Sequence, residues 1–196
     1  MFYACKSLTT VGDLSNWNTS NVTDMNYMFD TCWSLKSLDV TNWDVRNVTG
    51  MNQIFDECSS LVSIKGISNW DTASLTDIFG AFCGASVQEL DLSNWTVDQI
   101  DNLVFTFTAC EYLEKLNLSN WNINNVSYDT LYNTFEDCPA LTTVIMQNSD
   151  NDSINKIIYA LPDRTESDQG ACHPNQKVRR QPWCRLHQCR KCISFP

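Results

Sequence analysis

The chain has 196 residues, a net charge of −10 and 43% hydrophobic residues, a composition typical of one folded domain. A membrane-spanning helix needs about 20 consecutive apolar residues. No stretch of the sequence is nearly that long, so membrane insertion is not expected. Residues 1–165 hold 7 Lys and Arg against 21 Asp and Glu, a net charge of −14. A surface this acidic repels phosphate backbones, and the sequence therefore predicts no nucleic-acid partner.

Three residue types recur at a period of about 26 positions, which indicates tandem repeats. A tryptophan recurs five times, and an asparagine precedes it each time. A cysteine recurs six times in the same register. The Trp column is Trp17, Trp43, Trp70, Trp95 and Trp121, the Asn column is Asn16, Asn42, Asn69, Asn94 and Asn120, and the Cys column is Cys5, Cys32, Cys58, Cys83, Cys110 and Cys138.

Each repeat is predicted to contain one helix and one strand. Val22, Met25, Met28, Phe29 and Cys32 share one face at helical spacing, and the same pattern returns in later repeats. After each cysteine the apolar residues alternate, which predicts a strand of three or four residues. We therefore expect an α/β fold with one short parallel strand and one helix in each coil of about 26 residues.

The repeat unit resembles that of the BspA-like leucine-rich repeat family. In residues 28–51 it reads MFDTCWSLKSLDVTNWDVRNVTGM, and the resemblance extends over residues 1 to about 165. It implies a right-handed leucine-rich-repeat solenoid of about six coils. The family consists of secreted or wall-attached surface proteins, several of which are implicated in adhesion. The resemblance therefore also implies an extracellular or cell-surface location for this chain.

The repeated columns have structural interpretations. The tryptophans are predicted to be core residues rather than a sugar-stacking strip. The asparagines are predicted to point inward and to bridge successive coils through their amide groups. Cys32, Cys58 and Cys110 are predicted to be buried free thiols, although an extracellular location would make disulfides conceivable.

No catalytic constellation is found in residues 1–165. Both histidines, His173 and His187, lie beyond them, and no phosphate-binding glycine loop is present. We therefore expect a protein that is not an enzyme and has no catalytic residues, cofactor or metal. A concave sheet is expected to bind a protein or cell-surface ligand through Asp13, Asp39, Lys65, Asp91 and Asn117. The alternative function is a passive spacer within a larger surface protein.

The two ends carry separate expectations. Met1–Phe2 occupies the register of Met28–Phe29, so we expect a fragment without its N-terminal cap or signal peptide, able to self-associate through that edge. Asp152–Ser153 is predicted to start a helix that ends at Pro162 and caps the domain at about residue 165. Residues 166–196 are basic and Cys-rich and are expected to be disordered or non-native; a flexible linker and a zinc site are the alternatives there.

Overall fold

The computed structural model describes residues 1–162 and the backbone of residues 193–194. Six short strands and one α-helix are present in these residues. Two 3₁₀ turns, Ile67–Asn69 and Tyr128–Leu131, lie between them. In chain order the elements are β1 (Ser37–Asp39), β2 (Ser63–Lys65), β3 (Glu89–Asp91), β4 (Lys115–Asn117), β5 (Thr143–Ile145), α1 (Asn151–Ala160) and β6 (Ile193–Ser194).

The strands form two small parallel sheets. β1 pairs with β2, while β3, β4 and β5 form a second sheet to which β6 adds at the β5 edge. The central residues of neighbouring strands are in register, as Leu38 with Ile64 and Leu116 with Val144. These central side chains are buried and their neighbours in the strand are more exposed, which is the alternation that the sequence predicted.

The predicted right-handed leucine-rich-repeat solenoid with a helix in each coil is wrong. The described residues contain two small parallel sheets and one α-helix, which lies after β5. The segments predicted as helices consist of successive turns, and two residues four positions apart in each of them have positive φ. Examples are Tyr27 with Thr31 (φ 55° and 59°) and Gln53 with Glu57 (φ 50° and 54°). A left-handed residue at every fourth position prevents a continuous right-handed helix.

The main-chain N–H groups of these turns bond to the next repeat instead of to their own helix. The N–H of Tyr27 donates to the C=O of Asn52 at 2.8 Å, and the N–H of Phe29 donates to the C=O of Ile54 at 3.0 Å. A helix would direct both groups to the fourth residue before them. The turns bury side chains at spacings of three and four residues, so their apolar pattern resembles that of a helix.

The gap between the two sheets coincides with an inserted glycine. Trp43 and Trp70 are 27 residues apart, one more than the preceding interval, and Gly66 lies between β2 and Trp70 with φ +92°. The chain then forms the 3₁₀ turn Ile67–Asn69, whose first bond joins the Asn69 N–H to the Gly66 C=O at 3.0 Å. In the described part of the chain, β2 does not pair with β3.

The core contains two ladders of aromatic rings that run from repeat to repeat. Phe2, Phe29, Phe55, Phe82, Phe107 and Phe135 follow one another at centroid distances of 5.3 to 5.9 Å. Trp17, Trp43, Trp70 and Trp95 stack with centroid distances of 6.0, 6.2 and 5.9 Å. Each ring therefore covers its neighbours in the next repeats, and burial of an aromatic ring is among the largest apolar contributions to stability.

The helix predicted near the end of the repeats is present as α1. It begins earlier than predicted, because the cap is Asp150 and not Asp152–Ser153; Asp150 accepts a hydrogen bond from the Ser153 N–H at 2.8 Å. Lys156 is buried on the inner side of α1, where its ammonium group lies 2.7 Å from Asp152 and donates to the carbonyl groups of Ile123 and Asn124 at 3.2 Å. These bonds attach α1 to the preceding loop.

The expectation for residues 166–196 lies outside the described residues, except for the backbone of β6. The predicted domain boundary at about residue 165 lies just beyond the described residues as well. None of the helices in residues 1–162 is both long and apolar enough to cross a membrane.

Candidate binding surface

Four of the five predicted ligand-binding residues are the last residues of strands β1 to β4. Asp39 and Lys65 are paired in β1 and β2, and their side chains form an exposed ion pair at 2.7 Å. Asp91 and Asn117 are paired in the same way in β3 and β4. Asp13 is exposed in the repeat before β1. Because β2 and β3 are not paired, the sheets bring these residues together as two pairs rather than as one continuous row.

The acidic and amide side chains among the predicted ligand-binding residues stabilise the turns that follow them. Asp39 accepts a hydrogen bond from the Thr41 N–H at 3.1 Å, and Asp91 accepts one from the Ser93 N–H at 3.0 Å. Asp13 and Asn117 make the same bond to the residue two positions later. The hydrogen bond from Lys65 and, to a smaller extent, those from Thr41 together lower the pKa of Asp39 to about 2. The side chains of Asp13, Asp39, Asp91 and Asn117 therefore stabilise tight turns, three of which follow a strand.

The asparagine column lies on the surface, so the predicted inward orientation is wrong. All five residues are exposed. Three of them nevertheless bridge repeats: the side-chain amides of Asn42, Asn94 and Asn120 donate to the carbonyl groups of Ser15, Ser68 and Ser93 at 3.4, 2.8 and 2.9 Å. Each amide group reaches the preceding repeat on the outer surface of the turn that follows the strand. The serine carbonyl groups there have no partner in the sheet.

The tryptophan column forms part of the core. Trp43, Trp70, Trp95 and Trp121 are buried, while Trp17 is partly buried in the first repeat. The indole N–H groups of Trp95 and Trp121 donate to the carbonyl groups of Ile67 and Leu92 at 3.1 and 3.0 Å. Buried indoles of this kind have no face available for a sugar.

The cysteine column packs next to the row of stacked phenylalanines. In the described residues the six cysteines of the column form no disulfide bonds. Cys32, Cys58 and Cys110 are buried, and their thiols donate to the carbonyl groups of Phe2, Phe29 and Phe82 at 3.1 to 3.2 Å. Burial raises the pKa of the Cys58 thiol, and it raises that of Cys83 to about 12. These thiols stay protonated at neutral pH and are poor nucleophiles.

Alkylation should therefore separate the cysteines by burial. We expect iodoacetamide at pH 8 to modify the half-buried Cys5 well before Cys32, Cys58 and Cys110, because only an accessible thiolate reacts. Peptide mass spectrometry of time points would measure each rate, with the urea-unfolded chain as the control in which the differences vanish. Equal rates for Cys5 and Cys58 in the native chain would contradict the burial of the column.

A strip of partly exposed aromatic residues lies on the turn side of the later repeats, and the sequence did not predict it. Phe79, Phe105 and Tyr132 come from three consecutive repeats and contact one another edge to face, with centroid distances of 5.6 and 6.2 Å. Phe79 and Phe105 are partly exposed and Tyr132 is 39% exposed. We call these three residues the aromatic strip. The irregular register around Phe79 concealed it in the sequence.

The local sequence fixes the turns that carry the strip. Asp77 accepts a hydrogen bond from the Phe79 N–H at 3.0 Å, and Asn102 accepts one from the Val104 N–H at 2.8 Å. Both bonds span two residues and hold the chain in a tight turn just before the exposed ring. The ring positions are therefore set by the backbone rather than by flexible side chains alone.

Phe105 has a backbone conformation that is unfavourable for an aromatic residue. Its φ is +59°, whereas Gly80 and Asn133 occupy the equivalent position in the neighbouring repeats. Glycine and asparagine tolerate this region, while a bulky residue there costs on the order of 1 kcal/mol. Tyr27 and Gln53 have the same positive φ at the equivalent position of earlier repeats (55° and 50°), so the conformation belongs to the turn and is not specific to Phe105.

Two surface carboxylates in residues 1–162 are paired with cations. Within residues 1–162, no group of three or more His, Cys, Asp or Glu side chains could hold a metal ion. Asp39 and Asp44 have pKa values lowered to about 2, and the first cause is the hydrogen bond from Lys65 and from Arg46, respectively. Carboxylates held ionised by exposed cations are suited to turn and surface structure rather than to proton transfer.

Comparison with known proteins corrects the family assignment. One family, described as "Mycoplasma protein of unknown function, DUF285", matches residues 1–65 and 62–166. No curated protein and no solved structure matches the chain. The resemblance to BspA-like leucine-rich repeat surface proteins is therefore wrong. The residues that carried the resemblance were the leucines of the strands, the exposed asparagines and the stacked aromatic rings. A stack of short parallel strands and turns uses the same residue types, so they do not distinguish one family from another. The matched stretches together span residues 1–166, and the chain belongs to the DUF285 family.

Proposed function

We propose that the chain is a non-catalytic binding module whose ligand is a protein, and that the aromatic strip is the centre of its binding surface. The observation that carries this proposal is a contiguous set of partly exposed aromatic rings from three consecutive repeats. Aromatic residues are enriched in the cores of protein interfaces because a rigid ring buries a large area at little cost in entropy.

Charge favours a basic ligand. Residues 1–165 have a net charge of −14, and an acidic surface accelerates the encounter with a positively charged partner. The row of Asp13, Asp39, Lys65, Asp91 and Asn117 supports the proposal less well, because its side chains are engaged in turns and in one ion pair. A cell-surface location followed only from the corrected resemblance and stays a prediction.

Substitution of Phe105 by asparagine separates binding from stability. Phe105→Asn removes the central ring but retains a residue that tolerates positive φ, as Asn133 does in the next repeat. We expect a free energy of unfolding that is unchanged or higher by up to about 1 kcal/mol, together with at least tenfold weaker binding. The measurements are urea denaturation and the retention of labelled protein on cultured epithelial cells.

The cell experiment needs two controls. Asp91→Ala changes an exposed residue outside the strip and should bind as the unchanged chain does. Treatment of the cells with protease should abolish retention if the ligand is a protein. Retention that survives protease treatment would exclude a protein ligand, and equal retention of Phe105→Asn would exclude the strip. An absence of saturable binding to intact cells would favour the spacer function.

A further inference from the structure

We propose that the junction between the second and third repeats binds one neutral sugar residue. A junction is the contact between the turns around the column tryptophans of two consecutive repeats, here Trp43 and Trp70. A groove of about 280 Å³ opens at this junction and is lined by residues 41–46, Asn69 and Asp71. This volume lies just below the range of about 300–1,000 Å³ that is typical of small-molecule sites, so it suits a single ring. None of these residues belongs to the aromatic strip.

Side-chain bridges close the junctions on either side of the groove. At the junction of the first and second repeats, and at that of the third and fourth, three side chains each donate a hydrogen bond to a main-chain carbonyl group of the adjacent repeat. The donors are Asn42, Thr19 and Asn47 at the former junction, at 3.4, 3.0 and 2.7 Å, and Asn94, Thr72 and Gln99 at the latter, at 2.8, 3.0 and 2.7 Å.

The junction between the second and third repeats has none of these bridges in the described residues. Val45 occupies the position of the bridging threonines and has no hydroxyl group, and Ser74 replaces the longer amide side chains. The third position is Asn69, which lies in the 3₁₀ turn after the inserted Gly66. Its side-chain amide makes no hydrogen bond in the part of the chain that the structure describes. The groove therefore opens where three bridges are missing together.

The open junction presents hydrogen-bond donors and acceptors from both repeats. The Asn69 amide can donate and accept, and the Asp71 carboxylate has a second oxygen besides the one that accepts from the Ala73 N–H. The Thr41 carbonyl group is the equivalent of the serine carbonyl groups that accept bridges elsewhere, and within residues 1–162 it accepts no hydrogen bond. A ligand with several hydroxyl groups can replace the missing bridges, because each hydroxyl both donates and accepts.

The charges of the groove favour a neutral ligand. Asp44 and Arg46 form an ion pair at 2.7 Å, and Asp71 also attracts Arg46. An anion would meet the two carboxylates and a cation would meet the guanidinium group, so neither class of ligand is favoured. The indole of Trp43 is only 5% exposed, so hydrogen bonds rather than ring stacking hold the sugar. We therefore expect a weak dissociation constant, on the order of 1–10 mM.

NMR titration of the full chain tests the site. The probes are the methyl glycosides of glucose, mannose, galactose and N-acetylglucosamine, and glycerol is the control polyol. At least one glycoside should give saturable shifts at the Asn69 side-chain amide and at the main-chain amides of residues 41–46 and 69–71. An absence of saturable shifts with every glycoside would overturn the proposal. Equal shifts with glycerol would also overturn it, because the groove would then bind an adventitious additive only.

Two variants change the groove without changing the core. Asn69→Ala removes the free amide, and Val45→Thr supplies a hydroxyl group at the position from which Thr72 bridges to the Thr96 carbonyl group at 3.0 Å. We expect both variants to weaken binding of the glycoside on the order of tenfold, the usual effect of one lost or competing hydrogen bond. Unchanged binding in either variant would contradict the proposal.

The matched control is Asn125→Ala. Asn125 also bridges two repeats, by donating to the Asp98 carbonyl group at 2.6 Å, but it lies two junctions away from the groove. This variant and Phe105→Asn should bind the glycoside as the unchanged chain does, and urea denaturation shows that each variant is folded. Equal weakening in Asn125→Ala would assign the effect to stability, and weakening in Phe105→Asn would move the sugar to the aromatic strip; either result would overturn the proposal.

Discussion

Substitution of Gly66 by alanine is expected to destabilise the protein by about 3–5 kcal/mol. A Cβ atom at this position would lie 2.4 Å from the Thr41 Cα and 2.5 Å from the Thr41 N, both of which are backbone atoms. The backbone also has φ +92° there, a region that side chains avoid. Overpacking and strained backbone each cost about 1–3 kcal/mol, and here neither can be relieved by a rotamer change.

Gly12→Ala is the matched control for this prediction. Gly12 has φ +74°, but an added Cβ would meet nothing within 4 Å, so only the conformational cost of about 1–2 kcal/mol applies. Urea denaturation followed by circular dichroism measures both variants, and their difference isolates the collision with Thr41. Equal losses would show that the close approach of repeats two and three at Gly66 does not exist in solution.

Substitution of Trp70 by alanine is expected to cost about 3–5 kcal/mol, the usual loss for a truncated aromatic core residue. The indole is 1% exposed. It stacks between Trp43 and Trp95 with centroid distances of 6.2 and 5.9 Å. The cavity would therefore remove contacts from two neighbouring repeats. Because each repeat contacts only its neighbours, hydrogen exchange should accelerate first in the repeats next to Trp70.

Asp91→Ala serves as the reference for an exposed site. Its loss is expected to lie within about 0.5 kcal/mol, because water can replace Asp91 as the acceptor for the Ser93 N–H. Both variants are compared by urea denaturation with circular dichroism, since fluorescence would change when an indole is removed. Similar losses for Trp70→Ala and Asp91→Ala would mean that the tryptophan ladder is not part of the core.

The positions of the strands could be predicted from the sequence because their signal is local. Alternation around Leu38 and Leu116 predicts a buried central residue, and both are buried in β1 and β4. The presence of helix α1 was predictable for the same reason, since its apolar spacing lies within a dozen residues, although its cap is Asp150 and not the predicted Asp152–Ser153.

The turn segments could not be predicted because their spacing is ambiguous. Met25, Met28, Phe29 and Cys32 are all buried, as they would be on one face of a helix. What excludes the helix is the bonding of Tyr27 and its neighbours to the next repeat, together with the left-handed conformation that this bonding imposes. Nothing in the identity of Tyr27, Thr31 or Phe105 predicts positive φ.

The repeat period, the buried columns and the acidic charge were determined by the sequence alone, because each depends on residue types at fixed spacing. The tertiary structure decided which main-chain groups pair between repeats, and that pairing replaced the helices with turns. It also decided that β2 and β3 are unpaired in the described residues and that Phe79, Phe105 and Tyr132 meet on the surface. These features depend on contacts between residues about 26 positions apart. The energies of such contacts cannot be derived from a local sequence pattern.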